Sequence, residues 1–105
     1  MALILGNTSI SSSTSETVAI AAADTNARKH KVKAINLVFS GTISIQLLDG
    51  VTPLTGAMEF ASGDKLHLTP ENCGGFQTSE NTALNLTIAR TGGNVRGNIE
   101  YVTAK

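Results

Sequence analysis

The sequence predicts an all-β protein, an antiparallel β-sandwich of the jelly-roll kind with seven to eight strands. From His30 to the C-terminus, short stretches alternate apolar and polar residues, which is the period of a strand that buries one face. Turn signals rich in Gly, Asn, Asp and Ser separate these stretches at intervals of roughly 8–12 residues, as in sandwiches and jelly rolls. No stretch has the period of an amphipathic helix.

The clearest predicted strand begins at Thr42. Ile43, Ile45 and Leu47 alternate with polar residues, so their side chains share one face. Asp49-Gly50 follows, and a glycine there can take the positive φ that a tight hairpin requires. The pattern therefore predicts a half-buried strand that ends in a hairpin turn.

Residues 17–23 allow two interpretations. Their four alanines favour a helix, whereas Val18 and Ile20 lie two residues apart and the stretch is short. We interpret the stretch as a strand.

The stretch from His30 to Phe39 changes its pattern midway. Val32 and Ala34 fall on one parity, but the apolar residues at 35, 37 and 39 fall on the other. Either a bulge near Ala34–Ile35 shifts the register, or both faces of this strand are buried.

Four more alternating stretches predict the remaining strands. Pro53 has no N–H to donate, so any strand around it lies at an edge or begins after it. Residues 24–27 and 70–75 have the composition of turns and loops. The four stretches are 58–60, 65–69, 83–88 and 95–102.

Residues 1–16 are predicted to form an N-terminal arm or edge strand, and residues 17–105 the β-sandwich domain. The arm begins with a small apolar patch and continues as a run of Ser and Thr that cannot bury much surface alone. One interpretation is a terminus without fixed structure. The other, which we adopt, is an arm whose apolar side chains contact a neighbouring subunit. The expected contact residues are Leu3, Ile4, Leu5 and Ile10.

The composition narrows the possible functions. The eight acidic and eight basic side chains cancel, which disfavours nucleic acid as a partner. Only four aromatic residues are present, so the core is expected to be thin and in part covered by a partner subunit. The single Cys73 excludes an intrachain disulfide. Without a membrane-spanning stretch or signal-peptide pattern, we expect a soluble protein made in the cytoplasm.

Candidate catalytic and metal-binding residues lack the spacing that their chemistry requires. His30 is surrounded by Lys and Arg, and His67 alternates outward between two leucines, so neither predicts a metal site. No nucleophile elbow occurs, and no pair of carboxylates is singled out by the pattern. We expect no enzyme activity, no catalytic residues, no cofactor and no metal. The carboxylates considered are Asp49, Glu59, Asp64, Glu71, Glu80 and Glu100.

The basic cluster from Arg28 to Lys33 is the one patch of single sign. It is interpreted as the solvated start of a strand, where lysines also discourage pairing at an edge. The alternative is electrostatic docking onto an acidic partner surface.

Several segments follow one another in a distinctive order, including a loop from Pro70 to Phe76 and a closing strand. These segments are Lys31–Phe39, Ile43–Ile45, Leu54–Met58, Pro70–Phe76, Ala83–Leu86 and Gly97–Val102. By the order of these segments, residues 30–102 resemble small β-sandwich structural proteins of tailed bacteriophages, most of all capsid decoration (cement) proteins.

The resemblance implies a virion structural protein that decorates and stabilises a phage capsid by bridging capsomers, without catalysis. Its partners would be the major capsid protein and further copies of itself, as a dimer or trimer, and neither nucleic acid nor a membrane. Its place would be the outer surface of the capsid, after synthesis in the host cytoplasm, and the arm would contact that shell. The alternative is a tail or fibre module that recognises host glycans.

Overall fold

Two antiparallel five-stranded sheets face each other in the computed structural model, which describes residues 4–23, 27–69 and 76–104. Within these ranges there is no helix, and therefore none that is long and apolar enough to cross a membrane. The ten strands are β1 (Ile4–Ser12), β2 (Glu16–Ala21), β3 (Lys29–Phe39), β4 (Ile43–Asp49), β5 (Thr52–Pro53), β6 (Met58–Phe60), β7 (Lys65–Leu68), β8 (Phe76–Gln77), β9 (Leu84–Arg90) and β10 (Val95–Ala104).

The strand order confirms the predicted antiparallel sandwich. Sheet A has the order β1-β10-β3-β7, and β8 pairs with β3 beside β7. Sheet B has the order β2-β9-β4-β5, and β6 pairs with β4 beside β5. When β5 with β6 and β7 with β8 are each counted as one interrupted strand, two four-stranded sheets remain, connected as in a jelly roll.

The predicted number of seven to eight strands is wrong, because the described residues form ten. The two additional strands are β5 and β8, each two residues long. Alternation needs at least four residues to be recognised in a sequence, so strands of this length leave no pattern to detect.

Aliphatic side chains from both sheets fill the interior. The predicted inward residues of β4 and β9 are almost fully buried, and the Phe39 and Phe60 rings stack with centroids 4.1 Å apart. Each fully buried aliphatic side chain contributes about 1.5–3 kcal/mol to folding. The largest buried side chains are Phe39, Ile35, Leu37, Ile43, Ile45, Leu47, Leu84, Leu86, Ile88, Ile99, Val32 and Val95.

A bulge in β3 explains its change of pattern. Ala34 is paired with Glu100 and Val32 with Tyr101, so the register shifts there and Lys33 is the extra residue. The shift lets Val32 and Ile35 both face the core despite their opposite parity. Of the two alternatives for this strand, the bulge is the one observed.

Gly97 lies within β10 at a position where only glycine fits. Its φ is 147°, and a Cβ added to it would lie 1.8 Å from the carbonyl oxygen of Asn36 on the neighbouring strand. The predicted hairpin glycine, Gly50, has φ 64°. The first glycine permits close packing of two strands, and the second permits a turn.

Candidate interaction surfaces

The four predicted contact residues do not form one patch. Leu3 lies outside the described residues, and Ile4 is the first residue of β1. Leu5 is 71% exposed, whereas Ile10 is 3% exposed and packs in the core of its own chain. Ile10 therefore holds β1 to the sandwich, and Leu5 is the residue of the four whose side chain is shown at the surface.

Strand β1 lies at the edge of sheet A. All nine of its residues pair with β10 without a register shift, from Ile4 opposite Thr103 to Ser12 opposite Val95. In the described part of the chain, β10 is the only strand that pairs with β1. The other long edge of β1 therefore presents backbone N–H and C=O groups that no described strand pairs.

Side-chain contacts fix β1 to the rest of the sandwich. The Thr8 hydroxyl donates to the carbonyl oxygen of Ile20 in β2 at 2.7 Å, which links the two sheets. The Asn98 Nδ2 donates to the Asn7 Oδ1 at 2.9 Å on the outer face. These hydrogen bonds and the burial of Ile10 hold β1 in place as a strand of sheet A.

Glu16 closes the turn between β1 and β2. The hydroxyls of Ser12 and Thr14 donate to the Glu16 carboxylate at 2.6 and 2.7 Å. These hydrogen bonds, that from Ser12 first, lower the pKa of the Glu16 carboxyl from its ordinary value of 4.5. The ionised carboxylate thus holds the turn that leads from one sheet to the other.

Most ionisable groups on the outer face of sheet A are positively charged. Lys31, Lys33, Lys65 and Arg96 are all exposed on this face, and among the described strand residues Glu100 is the one carboxylate there. Val38 lies directly between Arg96 and Lys65 in the cross-strand register and is 49% exposed. The surface is therefore a basic face with one apolar side chain between two cations.

The basic face continues to the β1 edge through a shallow surface depression of about 210 Å³. Its lining includes Leu5 and Asn7 from β1, Lys33 from the bulge, and Glu100 from β10. The bulge thus places an additional lysine beside the edge strand.

The outer face of sheet B is almost free of charge. Along its strands the outward positions carry small, amide or apolar side chains, and Glu59 is the ionisable residue among those described. Arg90, the last residue of β9, lines a shallow depression beside Glu59. The Thr17 and Thr87 hydroxyls lie 3.3 Å apart across β2 and β9. The outward residues of this face are Thr17, Ala19, Ser44, Gln46, Leu48, Glu59, Asn85, Thr87 and Ala89.

His30 is buried and fully hydrogen-bonded. Its Nε2 donates to the Ala22 carbonyl oxygen at 2.7 Å, because a carbonyl can only accept. In the neutral ring, Nδ1 then accepts from the Thr103 hydroxyl at 2.8 Å. Its backbone N–H donates to Thr78 Oγ1, and its ring packs edge-on against Tyr101. These contacts give His30 a structural role that joins β2, β3 and β10.

The other candidate residues also have structural surroundings. The His67 ring contacts the Asn36 side chain on the outer face of sheet A. Asp49 accepts from the Ser79 N–H and hydroxyl, and Asp64 accepts from the Ala61 N–H, so both hold turns. Among the residues that the structure describes, no group of three or more His, Cys, Asp and Glu is placed to hold a metal ion. Glu71 and Cys73 lie outside those residues.

Sequence reasoning missed two features of this arrangement. His30 has the same parity as Val32 and Ala34, which could have indicated its burial, but its basic neighbours suggested a solvated segment. The continuous pairing of β1 was hidden by its Ser and Thr content, because small polar residues give little apolar alternation.

Comparisons with known proteins support the fold. No protein-family model and no curated protein matches this chain. Among solved structures, it is similar to a protein of Bacillus endospore appendages, a family of disulfide-linked pili. That similarity has 11% sequence identity and a TM-score of 0.57, and it covers 98% of this chain and 88% of the other. At this identity the similarity shows a shared all-β fold with a structural protein, and no more.

Proposed function

We propose that this chain is a non-catalytic structural subunit that attaches to a larger protein assembly and stabilises it by binding. The finer form of the proposal is a capsid decoration protein on the outer surface of a phage capsid, made in the host cytoplasm. Its partners are the major capsid protein and other copies of this chain, and no nucleic acid or membrane is involved.

The observation that carries this proposal is the separation of charge between the two flat faces. A chain of zero net charge places four exposed cations and one carboxylate on sheet A, and little charge on sheet B. A face of this kind fits an acidic protein surface, which attracts the cations over a distance and contacts Val38 at close range. The other sheet then faces solvent.

The dimensions suit a bridging role. The described chain measures 42 × 24 × 21 Å, so one long face can span the boundary between two neighbouring subunits of an assembly. Each bound copy stabilises the assembled state through its own binding free energy, and symmetry multiplies the effect over many equivalent sites.

A filament subunit is the second candidate, and the similarity to an endospore-appendage protein favours it. The same fold then serves an assembly in which the chain is the main component and the partners are copies of itself. Cys73 allows one disulfide between copies, because a single cysteine has no partner within its own chain.

The glycan-binding alternative lacks its usual means of recognition. Sugar rings stack on exposed aromatic side chains, but Phe39 is buried and Phe60, Phe76 and Tyr101 pack against the core. The four aromatic side chains are thus buried or only partly exposed, which leaves little ring surface for stacking.

Localisation is the first test of the proposal. Cells that encode this chain are fractionated into virus particles, surface filaments and soluble protein, and each fraction is probed with an antibody to the chain. Decoration predicts labelling over the particle shell, and the filament alternative predicts labelling along the filaments. Recovery of the chain only as free soluble protein would contradict both.

A matched pair of variants tests the basic face. Lys31→Gln with Lys33→Gln lowers the net charge by two on sheet A, and Thr87→Glu with Ala89→Glu lowers it equally on sheet B. We expect the first pair to reduce occupancy of the assembly at least about tenfold at physiological salt, and the second to leave it unchanged. Equal losses would show that only total charge matters.

A further inference from the structure

We infer that two copies of this chain pair through the free edge of β1, antiparallel about a twofold axis, so that sheet A becomes one continuous ten-stranded sheet. The inference deepens the proposed structural role, on which its biological purpose rests, by naming the contact between copies.

Strand β1 has none of the charges, prolines or bulges by which proteins block an exposed edge. Natural edge strands are kept short or carry lysine, proline or a bulge, because unpaired backbone groups otherwise accept another strand. Strand β1 is nine residues long, contains no charged residue and no proline, and pairs with β10 without a shift.

The other described edge strands carry such blocking features. Strand β7 carries Lys65 and His67, β5 contains Pro53, and β6 carries Glu59. Strand β8 has only two residues, and β2 has a register shift between Ala19 and Ala21. Among the described edges, β1 is thus the one that stays open to another strand.

The strand that pairs with the free edge of β1 is the β1 of a second copy. The other described edge strands of a neighbouring copy carry features that disfavour pairing. Its β1 is therefore the strand available to pair with β1 of the first copy. Antiparallel pairing of identical strands is isologous and uses both free edges, so assembly through this contact stops at two copies.

The register of this pairing follows from its symmetry. Full overlap of residues 4–12 with their symmetry mates places Thr8 opposite Thr8 of the second copy and Asn7 opposite Ser9. Facing threonines are a favourable cross-strand pair, and neither copy of β1 brings a charged side chain of its own to the junction. The exposed Leu5 then lies opposite Ser11 and is partly covered.

A pair of variants tests the register. Asn7→Lys with Ser9→Lys puts lysines directly opposite lysines across the junction, on side chains that are exposed in the single chain. Thr87→Lys with Ala89→Lys adds the same charge to the outer face of sheet B. Sedimentation or light scattering from micromolar to millimolar concentration measures the mass of each.

We expect wild-type chain and the Thr87/Ala89 variant to form a species of twice 10.9 kDa. The Asn7/Ser9 variant should dissociate with a constant at least about tenfold higher. A monomeric wild-type chain, a trimer, or an unweakened Asn7/Ser9 dimer would each overturn the inference.

Hydrogen exchange of wild-type protein decides the matter if the Asn7/Ser9 variant does not fold. Amides of β1 that face the free edge should become protected as concentration rises, while those at the end of β4 should not change. Protection that is independent of concentration would refute the pairing. If the chain is a monomer but still occupies a particle shell, the pairing is refuted and the proposed function stands. If the chain forms the β1-paired dimer but is absent from every assembly, the proposed function is refuted and the pairing stands.

Discussion

The central strands of sheet B, β4 and β9, bury only aliphatic side chains and pair regularly, whereas the central strands of sheet A also contain polar groups, a bulge and a mid-strand glycine. Strands β4 and β9 pair over seven residues without a shift. Among the residues that the structure describes, the four buried polar ones lie in or next to sheet A, and these are Ser12, His30, Thr78 and Thr103. The two sheets therefore contribute differently, sheet B mainly through apolar burial and sheet A also through specific geometry.

The outer faces differ as well. Sheet A presents cations and an open edge strand, and sheet B presents side chains that are nearly all uncharged. The irregularity of sheet A and its interaction surface coincide at Lys33, where the bulge adds a cation beside β1. Sheet A, whose interior includes polar groups, a bulge and a mid-strand glycine, is therefore also the sheet suited to bind partners.

Gly97→Ala should give the largest effect, because it forces a Cβ into the carbonyl group of Asn36 at the centre of sheet A. We expect the variant to be unfolded or to lose at least about 4 kcal/mol in free energy of unfolding, measured by urea denaturation. Gly56→Ala is the control, since a Cβ there meets no atom within 4 Å. Equal stability of the two variants would show that β3 and β10 are not so closely packed.

Substitutions of two adjacent leucines in β4 compare the stability contributions of the inner and outer faces of sheet B. Leu47 is fully buried, whereas Leu48 lies on the outer face. Leu47→Ala should lower the free energy of unfolding by about 2–5 kcal/mol, and Leu48→Ala by less than about 1 kcal/mol. The reverse order would mean that the register of β4 is shifted by one residue.

Thr103→Val tests the polar interior of sheet A. The change keeps the shape of the side chain but removes the hydroxyl that bonds the His30 ring, leaving a buried nitrogen without its partner. We expect a loss of about 1–3 kcal/mol in thermal or urea unfolding. Thr87→Val, on the outer face of sheet B, should change stability by less than about 0.5 kcal/mol.

Glu16→Gln should have the smallest effect, and that effect should depend on pH. The folded-state pKa of Glu16 is lowered, so its contribution to stability is present above the ordinary value of 4.5 and is lost as pH falls through the folded value. The urea midpoints of wild type and variant should therefore differ at pH 7 and converge in acid. Glu59→Gln is the control for a carboxylate on the outer face of sheet B, and a constant difference at all pH values would contradict the prediction.

The apolar alternation of the sequence was sufficient to predict the sandwich, since burial of Ile43, Ile45 and Leu47 depends on a period that is visible in the chain itself. The features of sheet A were harder to predict because they depend on neighbours distant in sequence. Gly97 is required by a carbonyl on β3, and the buried His30 is hydrogen-bonded to Ala22, which follows β2, and to Thr103 of β10. Likewise the basic face arises only when β3, β7 and β10 become adjacent.

The most direct test of the account is a cryo-EM reconstruction of the particle or filament that contains this chain. The account predicts that the face bearing Lys31, Lys33, Lys65 and Arg96 lies against an acidic protein surface, with sheet B turned to solvent. A reconstruction in which sheet B makes the contact and this basic face is bare would contradict it.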